Sequence, residues 1–137
     1  MQNTLLEVVE LVLKNEKAVK FAYLFGSHVQ GRVGPLSDID IAVYLDKRYD
    51  LFVCRLLLME EIDRCLKGHP CDLVVLNNAP VDFQYDIIKN GQVLKDDKRK
   101  RVPFEVRVLR QYLDFEPFRG IHLAKLKRSF QGKTDLG

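Results

Sequence analysis

The sequence predicts an α+β fold, a small mixed β-sheet flanked by helices. Three observations support this prediction. Short apolar runs of strand length alternate with segments whose apolar residues recur at helical spacing. Glycine, proline and asparagine residues mark the boundaries between these segments. The chain has 137 residues, which suits one domain with a single modest core.

The first half of the chain contains one helix and two strands. Residues 3–16 place leucines and valines on one helical face. Residues 20–25 are aromatic and apolar and predict a buried strand that ends at Gly26. Residues 39–45 predict a second apolar strand, which the chain enters through acidic residues.

The second half continues the alternation and begins with the clearest helix of the chain. This helix covers residues 50–67, with Asp50 as a candidate N-cap and Gly68 just beyond its end. Three shorter elements follow along the chain: a strand at 72–76, a helix at 80–90 and a strand at 92–94.

The C-terminal part is charged and then helical. The run at 95–101 predicts a charged surface turn, and residues 104–130 predict one long or two broken helices. We therefore expect residues 1–137 to form a single domain, with its core at about 20–76 and a C-terminal helical segment at about 97–130.

Composition excludes several classes of protein. The net charge of +3 is too small to indicate a nucleic-acid binder, so no direct nucleic-acid binding is expected. No apolar run approaches membrane length, so no membrane partner is expected either. The three cysteines, Cys54, Cys65 and Cys71, have no C-x-x-C spacing and are odd in number. They predict reduced thiols and a cytoplasmic protein.

The most informative segment contains a pair of aspartates at the start of a strand. Asp38 and Asp40 are two residues apart, and strand side chains alternate, so both carboxylates face the same side. Two carboxylates this close repel each other unless a cation lies between them. Hard oxygen ligands of this kind suit Mg²⁺, which commonly binds one or two carboxylates together with substrate phosphates.

Three further residues complete a candidate site. Asp72 opens a strand after a helix, which is a position where a third carboxylate could join the first two. Such a triad could hold metal for an in-line phosphoryl or nucleotidyl displacement. Gly26 lets the backbone approach a phosphate closely, and the Ser27 hydroxyl and nearby amides can donate hydrogen bonds to it. Each part alone is a weak signal, and their combination on successive elements is what favours a transferase.

This combination resembles the core motif of the DNA polymerase β-type nucleotidyltransferases. The small size and the C-terminal pattern are similar to the minimal nucleotidyltransferases (MNT proteins), which accompany HEPN-domain proteins in prokaryotic toxin–antitoxin pairs. The resemblance implies an Mg²⁺-dependent transfer of AMP from ATP to a tyrosine of a HEPN toxin, which silences its RNase activity. It also assigns residues to roles: nucleotide binding to Gly26 and Ser27, and metal binding and catalysis to Asp38, Asp40 and Asp72.

Two alternatives to this function stay open, and one of them follows from a departure from the motif. Many family members have arginine just before the second glycine of the motif, where this chain has Gln30. Loss of that cation weakens a triphosphate site unless Arg32 replaces it. A catalytically silent antitoxin that acts by binding alone is therefore one alternative. Nucleotidyl transfer to a small molecule is the other, although the chain has little length left for a substrate domain.

The partner is expected to be a HEPN toxin docked across the open active-site face. The C-terminal helical segment offers large apolar residues for such docking, with Tyr112, Phe115 and Phe118 as candidate anchors. Coverage of the sheet by the same three residues is the competing interpretation. The sequence leaves homo-oligomerisation open.

Overall fold

The computed structural model describes residues 2–26 and 38–114 and shows the predicted α+β fold. The described elements in chain order are helix α1 (Gln2–Asn15), strands β1 (Val19–Phe25) and β2 (Ile39–Leu45), helix α2 (Leu51–Leu66), strand β3 (Cys71–Val75), a 3₁₀ turn (Leu76–Asn78), helix α3 (Val81–Asn90), strand β4 (Gln92–Lys95) and helix α4 (Lys98–Asp114). The strands and helices expected in this part of the chain are thus present.

The four strands form one mixed sheet in the order β3-β2-β1-β4. Strand β1 pairs antiparallel with both β2 and β4, whereas β2 and β3 are parallel. A parallel pair needs a long crossover connection, and α2 supplies it between β2 and β3. The crossover through α2 therefore allows β2 and β3 to be parallel neighbours.

The central strands are covered on both faces of the sheet. Helices α1 and α2 pack on one face, together with Ile41 and Val43 of β2. Helices α3 and α4 pack on the other face, together with Ala42 and Tyr44. This explains why β1 and β2 are nearly continuous apolar runs rather than alternating ones. By the same alternation, Asp40 projects from the face that α3 and α4 cover.

The ends of helix α2 lie within one residue of those that its sequence predicted. The Asp50 side chain caps the helix by accepting a hydrogen bond from the backbone N–H of Val53 at 3.0 Å. At the other end, Lys67 already adopts a left-handed conformation with φ 54°, one residue before Gly68, which has φ 85°. The chain thus leaves the helix one residue earlier than the glycine suggested.

The expected surface turn at 95–101 is wrong for its second half, because α4 begins at Lys98. Asp97 starts the helix: its carbonyl accepts from the backbone of Arg101 at 2.8 Å, and its side chain accepts from the N–H of Arg99 at 3.2 Å. Asp96 also binds the Arg101 guanidinium at 2.6 Å. Two carboxylates at the N-terminus thus offset the unfavourable position of basic residues in the first turn.

The cysteine and membrane expectations can be compared with the structure directly. Cys54, Cys65 and Cys71 are all free thiols, as predicted. None of the helices in the described part of the chain is long and apolar enough to cross a membrane.

Candidate active site

Two of the predicted carboxylates lie next to each other on adjacent strands. Asp40 of β2 and Asp72 of β3 are partners in the parallel register. The pairing extends beyond the ladder, because the Ile39 N–H donates to the Pro70 carbonyl at 3.1 Å. Residues opposite each other in parallel strands project from the same face, and neighbouring strands lie about 4.8 Å apart. The register therefore brings these two carboxylates together, with Asp38 just before β2.

Burial differs among the three aspartates. Asp40 is half-buried, whereas Asp38 and Asp72 are exposed. Strand β3 lies at the edge of the sheet, so no strand among the described residues lies on the outer side of Asp72. The exposed Asp72 side chain is therefore at that edge.

Gly26 lies directly against the Asp40 carboxylate. It follows β1, whose last residue, Phe25, pairs with Asp40 in the antiparallel register. A Cβ atom added to Gly26 would overlap Oδ2 of Asp40 and would lie 3.1 Å from its Cγ. Gly26 also has φ +77°, a conformation that side-chain-bearing residues rarely adopt. Both the space and the backbone conformation therefore require glycine at this position.

The electrostatics of Cys71 show how the negative charges concentrate here. Burial raises the pKa of the Cys71 thiol to about 12, and the negative charges of Asp72, Asp40 and Asp38 contribute to the same rise. The Cys71 thiol is therefore close enough to all three carboxylates for their charges to raise its pKa. The potential at the start of β2 and β3 is accordingly negative, which favours a cation at this edge.

The structure describes only part of the predicted set. Gly26, Asp40 and Asp72 meet, but Ser27 lies outside the described residues. Within residues 2–26 and 38–114, no group of three or more His, Cys, Asp or Glu side chains is placed to hold a metal ion. A pair of carboxylates still fits Mg²⁺, because that ion usually takes its remaining ligands from phosphates and water. The metal-binding and phosphate-binding roles stay predictions.

An aromatic pair beside the carboxylates was absent from the sequence prediction. Phe25 lies next to Asp40 in the register, and its ring packs edge-on against Phe83 of α3 at a centroid distance of 5.7 Å. Both rings pack on the sheet face from which Asp40 projects. Alternation along β1 could have placed Phe25 near the site, but only the tertiary structure places Phe83.

Comparisons with known proteins agree with this geometry. A family model described as polymerase beta, nucleotidyltransferase matches residues 7–100. This is more than half of the chain, which therefore belongs to the polymerase beta nucleotidyltransferase family. A comparison with curated protein sequences finds no significant match.

Comparison with solved structures shows which nucleotidyltransferases this chain resembles in fold. A toxin–antitoxin structure with AMP-PNP is 25% identical, with a TM-score of 0.70, over 89% of this chain and 98% of that chain. The fold also matches a Shewanella oneidensis complex of a tri-AMPylated HEPN toxin with an MNT antitoxin. That match has 23% identity and a TM-score of 0.67, over 93% of this chain and 99% of the other. The expected resemblance to minimal nucleotidyltransferases is thereby confirmed.

Proposed function

We propose that this chain is an antitoxin that transfers AMP from ATP to a tyrosine of a cognate HEPN RNase toxin and so neutralises it. The observation that carries the proposal is the pairing of Asp40 with Asp72, with Gly26 against the Asp40 carboxylate. The similar structures that contain AMP-PNP or an AMPylated HEPN toxin support the same reaction.

Each residue has a distinct part in this reaction. Gly26 and Ser27 bind the triphosphate through backbone amides and a hydroxyl. Asp38, Asp40 and Asp72 would hold Mg²⁺, which would neutralise phosphate charge. The tyrosine oxygen forms a bond to the α-phosphorus and releases its proton to solvent, while the bond from the α-phosphorus to the bridging oxygen breaks and pyrophosphate leaves. The role of the protein is to orient the nucleotide and the acceptor for this in-line displacement.

A protein acceptor suits the open geometry of the site. Asp72 is exposed at a sheet edge, so a tyrosine on a docked partner can reach the carboxylates from solvent. Transfer of AMP also requires a compartment that contains ATP. We therefore place the reaction in the cytoplasm, where reduced thiols such as Cys54 persist as well.

The decisive experiment is intact-mass spectrometry of the HEPN partner after co-expression with this chain. The partner should carry one or more AMP units with the wild type and none with Asp40→Asn or Asp72→Asn. Glu10→Gln serves as the control, because Glu10 is an exposed carboxylate on α1 rather than on the strands. It should modify the partner as the wild type does.

Two other outcomes would point to the alternatives. An unmodified partner whose RNase activity is still inhibited by the wild type would indicate a silent antitoxin that acts by binding. A wild type that neither binds nor modifies the partner would leave transfer to a small molecule as the better explanation.

A further inference from the structure

Helix α4 has a second apolar face that nothing in the described chain covers. Phe104 and Val108 are buried against the sheet, on the inner side of the helix. Four large side chains on the outer side are between 41% and 61% exposed. Their spacing of four, three and four residues aligns them along one line of the helix. We call this line the α4 stripe, and it consists of Val102, Val106, Leu109 and Leu113.

Positive charge surrounds the stripe. Lys98 and Arg99 lie one turn before Val102, and Arg110 lies one turn after Val106, and all three cations are exposed. Helix α4 has two acidic residues: Asp114 lies at its C-terminal end, and Glu105, between the basic residues, is already engaged. It accepts from the Tyr23 hydroxyl at 2.6 Å and from Arg101 at 3.0 Å. The outer face of α4 is therefore apolar at its centre and cationic at its edges.

The charge around the stripe favours one kind of binding partner over three others. A second copy would bring an identical cationic face and would be repelled. Residues 115–137 of the same chain contain five Lys or Arg and two Asp or Glu, so they are cationic too. An RNA would satisfy the cations but would leave the apolar side chains without a partner. An acidic amphipathic helix satisfies both features.

We propose that the α4 stripe binds an acidic amphipathic helix of the protein that this chain modifies. The inference rests on the proposed function, since that protein is the HEPN toxin. Helix α4 covers the same sheet face from which Asp40 projects, so a partner on α4 docks on the side of the carboxylates. The stripe replaces Tyr112 as an anchor, because the Tyr112 ring stacks on Tyr85 at 3.9 Å.

The first test measures affinity with matched surface variants. Leu113→Ser removes a stripe residue that is 61% exposed, and Leu57→Ser removes an α2 residue that is 62% exposed on the other side of the sheet. Isothermal titration against the purified HEPN toxin should give a Kd about tenfold weaker for Leu113→Ser. The control should bind as the wild type does. Equal effects of the two variants, or no effect of either, would overturn the proposal.

The second test addresses charge. The double variant Arg99→Glu with Arg110→Glu should weaken toxin binding and flatten its dependence on salt. The matched control is Lys89→Glu with Lys100→Glu, which changes the net charge equally at exposed positions away from the stripe. Similar losses in both double variants would show that net charge, rather than the edges of the stripe, attracts the partner.

Measurements on the isolated chain exclude the other occupants. Leu113→Ser should leave its Tm and its molar mass in light scattering unchanged. A Tm lowered by several degrees would show that the chain covers its own stripe, and a dimer that this variant dissociates would show a second copy. Binding of a labelled single-stranded RNA that needs Arg110 but not Leu113 would favour nucleic acid. Each of these results overturns the proposal.

Activity separates this inference from the proposed function. Leu113→Ser should raise the KM for the toxin and leave kcat unchanged, because the stripe does not touch the reacting atoms. If all variants transfer AMP equally well at limiting toxin, the function stands and the docking surface is wrong. If the toxin binds through the stripe but never gains AMP, the docking surface stands and the function is wrong.

Discussion

Substitution of Gly26 by alanine tests the contact that links the phosphate-binding turn to the carboxylates. Two separate costs follow from the structure. The first is backbone strain: an alanine at φ +77° costs about 1–2 kcal/mol. The second is steric, because the new Cβ overlaps Asp40 Oδ2, and relief of such overpacking costs about 1–3 kcal/mol more.

Gly68 provides a control that isolates the second cost. It has φ +85°, but an added Cβ there would have no atom within 4 Å. Gly68→Ala should therefore carry the strain alone, and Gly26→Ala should carry both costs. The difference in the free energy of unfolding, measured by urea denaturation, is expected to be about 1–3 kcal/mol. In thermal unfolding, each kcal/mol lowers the Tm by about 3–5 °C for a chain of this size.

The same pair of variants should differ more in activity than in stability. To accommodate the Cβ, the Asp40 carboxylate must move by roughly 1 Å, and such a displacement can reduce transfer about 100-fold. Gly68→Ala should transfer AMP at the wild-type rate. Equal Tm values for the two variants, together with equal AMP transfer, would refute the argument that the Asp40 carboxylate requires a glycine at position 26.

Three further predictions concern ligand, packing and pH. Mg²⁺ with ATP should raise the Tm of the wild type, and Asp38→Asn should lose most of that rise in the same thermal-shift assay. Asn77→Ala should lower the free energy of unfolding by about 2–3 kcal/mol in urea, because its amide bonds both the N–H and the carbonyl of Leu45 at 2.9 and 2.8 Å. Hydrogen bonds from Arg48 hold the pKa of Asp46 below its usual range, so its stabilisation is present above about pH 4 and lost as pH falls further. The Tm difference between wild type and Asp46→Asn should thus be constant from pH 7 to pH 5 and should shrink below about pH 4.

The sequence predicts the elements better than their packing. Strands β1 and β2 were recognisable because both are buried on two faces and read as continuous apolar runs. The start of α4 was not, because a run of like charges suggests a turn unless the capping role of Asp97 is known. That role depends on the backbone conformation at Asp97, which the composition of the run does not reveal.

The inner and outer faces of α4 show a second limit. Phe104 and Val108 form one apolar line, and Leu109 and Leu113 belong to another. A helix with two apolar lines does not indicate which line meets the sheet. The sequence pattern therefore suggests Tyr112 as a docking residue, although the Tyr112 ring stacks on Tyr85 within the fold. Of the other two proposed anchors, Phe115 and Phe118, both lie outside the described residues.

The sequence indicates candidate residues for the site but not their geometry. Asp40 and Asp72 are each recognisable at a strand start, yet their adjacency depends on the parallel register between β2 and β3. A shift of one residue would send one carboxylate to the other face of the sheet. The contact between Gly26 and Asp40 likewise arises only after β1 and β2 pair.

Asp40 links the two halves of this site, and a charge-conserving substitution tests that link. Asp40 lies between Phe25 and Asp72 in the sheet and abuts Gly26. Asp40→Glu keeps the charge but adds a methylene where the Gly26 backbone leaves no room, so AMP transfer should fall about 100-fold or more. Asp72→Glu adds the same group at an exposed edge, where the longer side chain can bend away, and its loss should be clearly smaller in the same assay. If the two glutamate variants lost transfer equally, ligand geometry alone would control the reaction, and the contact with Gly26 would have no part in it.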